Sequence, residues 1–182
     1  MSLLTHDQLV FQQTRNLVHN DFAIMDTTGQ QVAHVETNGG TLSRLFAGSR
    51  ELTVFDGPGN PLFKVVDPMD FGRDRYEILD LNGQPLAHLT KQIRFFKTEV
   101  SIEIAGEEIS LEGGVWDYNF SFQGQHGLMA TVSRQWSGLG NAFMGMSTYL
   151  LSLAPLLNAQ QRTAVIGSLI ALDLIREKRS NN

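Results

Sequence analysis

The chain has 182 residues, 42% hydrophobic and 18% charged, which supports one packed core and is wrong for a disordered protein. Its net charge of −5 argues against a general nucleic-acid binder, whose surface is normally basic. With no cysteine, a disulfide framework, a thiolate zinc site and an S-palmitoyl anchor are excluded, and the chain is compatible with a reducing cytoplasm.

The first residues, MSLLTHDQLVFQQTRN, lack the basic-then-apolar pattern of a secretion signal. An internal repeat follows. FAIMDTTGQQVAHV, LTVFDGPGNPLFKV and YEILDLNGQPLAHL share one template: apolar, x, apolar, x, Asp, x, x, Gly, x, x, apolar, x, x, apolar. Alternation at Phe22 and Ile24, Leu52 and Val54, and Tyr76 and Ile78 predicts strands with one buried face. Asp26, Asp56 and Asp80 are suited to accept hydrogen bonds from turn amides. Gly29, Gly59 and Gly83 are suited to a positive φ. Each copy is predicted to be a β-hairpin.

Further strand-like segments are FKTEVSIEI, EEISLEG, VWDYNFSFQ, LMATVSRQW and TYLLSL. Short strands punctuated by turns predict an all-β sandwich or barrel with about a dozen strands across residues 9–153. No linker divides the chain, so a single domain over 1–182 is expected. The stretch SGLGNAFMGM (137–146) is expected to be a loop.

Pro155 ends the last strand, and Asn158 with Gln161 three residues on predicts a helix start. Arg176, Lys178 and Arg179 suit the negative end of a helix dipole, giving a helix near 159–178. On its wheel Val165, Ile166, Leu169, Ile170, Leu172, Leu174 and Ile175 spread round the whole circle. Only lipid or a protein interior accepts such a helix. The apolar run 164–175 covers ~18 Å, whereas a bilayer core needs ~30 Å. Asp173 within it would cost roughly 2.5–3.5 kcal/mol near a bilayer centre. Burial inside a barrel is the expected solution, with a membrane anchor as the alternative.

Together the F.I.D..G..V..V hairpins, LMATVSRQW, and TYLLSLAPLL running into RTAVIGSLIALDLI resemble the LURP-one-related proteins. That family groups with phospholipid scramblases and the Tubby C-terminal domain. The resemblance spans Phe11 to Ile175 and implies a mainly β fold: a closed, mostly antiparallel barrel of about twelve strands enclosing the hydrophobic C-terminal helix.

No sequence constellation names a reaction. DFG (70–72) lacks the other kinase motifs, SGLG misses dinucleotide-loop spacing, and no nucleophile elbow or P-loop occurs. Scramblases carry an acidic, calcium-binding-like segment before the final helix; here no Asp or Glu lies between Asp117 and Asp173, so no calcium site is expected. His34 and His88 share a repeat position with Lys64 and are expected to face solvent. His126, in GQHG, reads as a turn residue. Asp173 needs a partner wherever it is buried; an arginine or backbone amides near the barrel exit are expected.

KQIRFFK gathers Lys91, Arg94 and Lys97 beside Phe95 and Phe96, a candidate anionic-lipid patch; Arg73, Arg75 and Arg134 are fainter candidates. The expected function is a non-enzymatic binding or scaffold module without cofactor, cytoplasmic or peripheral at a membrane. Its expected partner is an anionic phospholipid or a protein, with a scramblase-like lipid mover as the alternative.

Overall fold

In the computed structural model the described residues are 3–15, 20–38, 50–68, 75–94, 97–134 and 148–180. Twelve strands are present among them: β1 Gln8–Arg15, β2 Asn20–Met25, β3 Gln31–Asn38, β4 Arg50–Asp56, β5 Pro61–Asp67, β6 Arg75–Leu79, β7 Pro85–Arg94, β8 Lys97–Ile104, β9 Glu107–Gly114, β10 Asn119–Gly124, β11 Gly127–Ser133 and β12 Thr148–Leu153. They form one closed barrel in which each strand pairs with its sequence neighbours and β12 pairs with β1. Every pairing is antiparallel, and the seam is set by Leu9↔Leu151 and Phe11↔Tyr149. Closure leaves no unpaired sheet edge. The helix α1 runs from Ala159 to Ser180, two residues beyond the sequence expectation.

The three repeats build one turn three times. In each, the aspartate amide donates to the carbonyl four residues on, and the glycine amide donates to the aspartate carbonyl. The side chains of Asp26, Asp56 and Asp80 accept from the amides of Gln30, Asn60 and Gln84 at 3.0, 2.7 and 2.8 Å. Gly29, Gly59 and Gly83 sit at φ 87°, 95° and 80°, where a Cβ would be strained. A register shift beside each turn marks a bulge, which adds twist as the sheet closes.

A meander of this kind sends alternate connections to opposite ends. The three repeat turns therefore share one end with residues 3–7, Ala105–Gly106, Gln125–His126 and the start of α1. We call this the turn end; α1 leaves through the exit end. Positions Asp7, Asp26, Asp56, Asp80, Glu107 and Glu108 lie at the turn end. The exit end mixes signs, with Arg50, Arg94 and Lys97 near Asp67 and Asp117.

The barrel is filled by its own helix. From Ala164 to Ile175 every residue is buried, as the full-circle wheel requires. The helix runs closest to β7, flanked by β5, β6 and β8. Gly167 permits that approach: a Cβ there would lie 2.6 Å from Ile78 Cγ1 and 3.2 Å from Phe63 Cε2. On the β1–β12 side, Phe11 stacks on Tyr149 at 5.3 Å between centroids, and Tyr149 on Tyr118 at 4.4 Å. Large rings thus fill the space that the off-centre helix leaves.

One expected strand is corrected. VWDYNFSFQ is not continuous: Val115–Asp117 is a turn of 3-10 helix, and β10 begins at Asn119. Tyr118 between them adopts a left-handed backbone at φ 58°. Alternating apolar residues carry a strand pattern, but the chain has to reverse between β9 and β10; Gly113, just before the stretch, allows the two strands to close up, since a Cβ there would meet the Asn119 carbonyl oxygen at 2.6 Å.

Candidate functional site

Two places carry the residues singled out from sequence, the tip of the β7–β8 hairpin and the two ends of α1.

Strand register makes Arg94 and Lys97 the last pair of β7 and β8, and sets Lys91 opposite Val100. Lys91 shares the strand face of Leu89, which points into the core, and is half-buried. The three cations therefore occupy one hairpin at the exit end, with Lys91 one turn of the pleat deeper. Phe95 and Phe96 lie outside the described residues, as do Arg73, the DFG triplet and the stretch 137–146. Arg75 and Arg134 are exposed at the same end of the barrel.

The repeat position of His34, Lys64 and His88 faces outward and meets carboxylates. His34 Nε2 lies 3.1 Å from Glu36, Lys64 Nζ 3.0 Å from Glu51 and His88 Nδ1 3.8 Å from Glu77. These are surface pairs of small energetic weight. His126 lies in the β10–β11 turn. Among the described residues no three His, Asp or Glu side chains converge as metal ligands.

The start of α1 is fixed by a reciprocal capping box. Gln161 N donates to Asn158 Oδ1 at 2.9 Å, and Asn158 N to Gln161 Oε1 at 3.1 Å. One turn on, buried Arg162 clasps the turn end. It donates to the Leu157 and His6 carbonyls at 3.1 Å, to the Pro155 carbonyl at 3.4 Å and to Asp7 Oδ1 at 2.5 Å. Each nitrogen of this guanidinium has an acceptor, which offsets the cost of burying it. Sequence reading passed over Arg162, because its acceptors come from segments as far as 156 residues away.

Along the buried stretch, Val165, Ile166, Leu169, Ile170, Leu172 and Leu174 are at most 2% exposed. Asp173 lies among them at 3%. Tyr118 donates its hydroxyl to Asp173 Oδ1, and Arg176 Nη1 lies 3.9 Å from the same oxygen. The arginine also donates to the Trp116 carbonyl, and its Cζ stands 3.1 Å above the centre of the Tyr118 ring. Asp173 is thus paired with an arginine near the exit, as expected, and with a tyrosine that the sequence did not point to.

The pairing is incomplete. Asp173 Oδ2 and the Tyr149 hydroxyl are buried without a hydrogen-bond partner of ordinary length, although Tyr149 stands near enough to favour the charged carboxyl weakly. Burial raises the Asp173 carboxyl from 3.8 to about 6, against the lowering effects of the Tyr118 hydrogen bond and the Arg176 charge. Burial likewise pushes the Tyr118 and Tyr149 hydroxyls well up, with the Asp173 charge adding to the rise. Arg176 is pushed down by burial, countered by Tyr118 and Asp173.

The fold and the site now stand beside known proteins. The X-ray structure of a protein from Arabidopsis thaliana matches with a TM-score of 0.59 over 92% of this chain and 91% of that chain. Identity is 14%, so this likeness speaks for the fold. No curated protein matches the chain in sequence. A family model described as LURP-one-related matches residues 7–173, which include all twelve strands and α1 as far as Asp173. The chain belongs to the LURP-one-related family.

Proposed function

We propose that this protein is a non-enzymatic binding module that meets its partner at the barrel surface, and that the partner is an anionic phospholipid headgroup held at the β7–β8 tip. The observation that carries the reading is the filled interior. Because α1 occupies the barrel and buries residues 164–175, a ligand has to be recognised from outside. Charge distribution favours the exit end for an anionic surface. Lys91, Arg94 and Lys97 lie on the hairpin there, whereas six acidic positions collect at the turn end and would repel it.

The scramblase-like alternative draws on the same helix as an anchor, and two observations weigh against it. Among the described residues no helix is long and apolar enough to cross a membrane. Withdrawing α1 would also expose the apolar lining of every strand.

Flotation with neutral and with phosphatidylserine-containing vesicles tests the proposal. Binding restricted to anionic vesicles, weakened by salt and lost in the Lys91/Arg94/Lys97 triple alanine variant, is the expected result. Retention of binding by a folded triple variant would rule out the patch, and absence of vesicle binding would direct the search to a protein partner.

A further inference from the structure

The two ends of α1 are held by opposite kinds of contact. At the turn end, each of the three guanidinium nitrogens of Arg162 has an acceptor, including the counter-charge of Asp7. At the exit end, Asp173 has one oxygen bonded to Tyr118, the other without a hydrogen bond of ordinary length, and, among the described residues, its paired cation 3.9 Å away. A carboxylate in that setting is held by fewer contacts than its burial demands. Water reaching it would supply what the protein does not. A proton on it would remove the need.

We infer that the exit end is a proton-operated latch, in which uncharged Asp173 keeps the last turns of α1 and the segment 115–118 closed and charged Asp173 lets them open. The groups facing the carboxyl come from several elements. Tyr118 follows the 3-10 turn, Tyr149 comes from β12, and Arg176 and Glu177 come from α1 itself. Arg134, beyond β11, acts on Tyr118 and Arg176. In the closed form Arg176 ties the helix to the Trp116 carbonyl and covers the Tyr118 ring, so opening must part α1 from residues 116–118. Tyr118 itself holds a left-handed backbone at φ 58°, an uncommon state for a bulky residue.

The direction follows from linkage. The closed form binds a proton up to about pH 6, and a solvated aspartate only up to about 3.8. Raising the pH across that window therefore favours the open form. The inference stands apart from the lipid reading and uses none of Lys91, Arg94 and Lys97.

Hydrogen–deuterium exchange on the full-length chain tests it, with rates corrected for intrinsic exchange. Between about pH 5 and about pH 7.5, amides of residues 170–177 should lose protection by about tenfold. Residues 160–166, held by Arg162, serve as the internal reference and should not follow. In Asp173→Asn, which keeps an acceptor for Tyr118 but does not titrate, the difference should vanish. Three results would overturn the latch: pH-independent protection in the native chain, an equal change in the reference amides, or an unchanged pH response in Asp173→Asn. Should that variant fail to fold, the comparison of the two ends within the native chain still decides.

Discussion

Tyr118 and Asp173, 55 residues apart, are joined by a hydroxyl-to-carboxylate hydrogen bond between the barrel wall and its helix. The bond ties the β9–β10 connection to the last turns of α1. Burial outweighs it, however, and the carboxyl stays easier to protonate than an exposed one.

A stability prediction follows. Because the folded state holds its proton up to about 6, Asp173 costs nothing below 3.8, and its cost grows as pH rises through that window. Above pH 7 Asp173→Asn should be more stable than the native chain by about 2 kcal/mol, roughly 4–8 °C in Tm. Below pH 4 the advantage should disappear. Asp26 and Asp56 act in the opposite sense. Hydrogen bonds within their turns lower both carboxyls, so their contribution is present above 3.8 and is lost as pH falls further. Thermal melts from pH 3 to 8 should therefore show a maximum on the acid side of neutral.

Arg162 should be the most sensitive polar position of the helix. Arg162→Ala leaves three backbone carbonyls and Asp7 without their donor, at a cost of about 2–4 kcal/mol. Arg162→Lys keeps the charge but cannot reach four acceptors from one ammonium, and should recover less than half of the loss. Denaturant unfolding of the three proteins measures both effects.

Gly167→Ala reverses the ordinary rule. Alanine is favoured over glycine by about 1 kcal/mol inside a helix, yet the added Cβ would lie 2.6 Å from Ile78 Cγ1 and 2.8 Å from Cγ2. Overlap of that kind in a packed core costs about 1–3 kcal/mol, so a net destabilisation is expected. Removing the obstacle with Ile78→Ala should make the double variant cheaper than the two single losses combined, by about 1 kcal/mol. Additive losses would mean that the two residues do not meet.

Much of this architecture was legible in the residues themselves. The repeat around Asp26, Asp56 and Asp80 works because a turn is local. All the groups that define it lie within four residues, so spacing alone revealed it. The helix was legible for a different reason, since residues apolar around a full circle have to be enclosed. What escaped was non-local. Tyr118 and Tyr149 meet Asp173 only once β12 and the 3-10 turn are in place, whereas Arg176 lies one helical turn away and fits the arginine partner that was expected. Alternating apolar residues in VWDYNFSFQ masked that turn. The gathering of acidic residues at one end was likewise hidden until strand order put the three repeat turns on the same rim.

Replacing Ile170, which is fully buried, provides the coarse test of the enclosed helix. Ile170→Ala should cost about 2–5 kcal/mol. Ile170→Asp would bury an unpaired charge and should leave no folded protein, as circular dichroism and melting would report.

Thiol labelling tests the enclosure most directly, because the chain contains no cysteine of its own. Single variants Leu169→Cys, inside the barrel, and Leu156→Cys, 97% exposed before the helix, would be treated with a maleimide under native conditions. The enclosed-helix account predicts that position 156 reacts at once and that position 169 reacts only when the protein is unfolded. Equal labelling of both in the folded protein would contradict it.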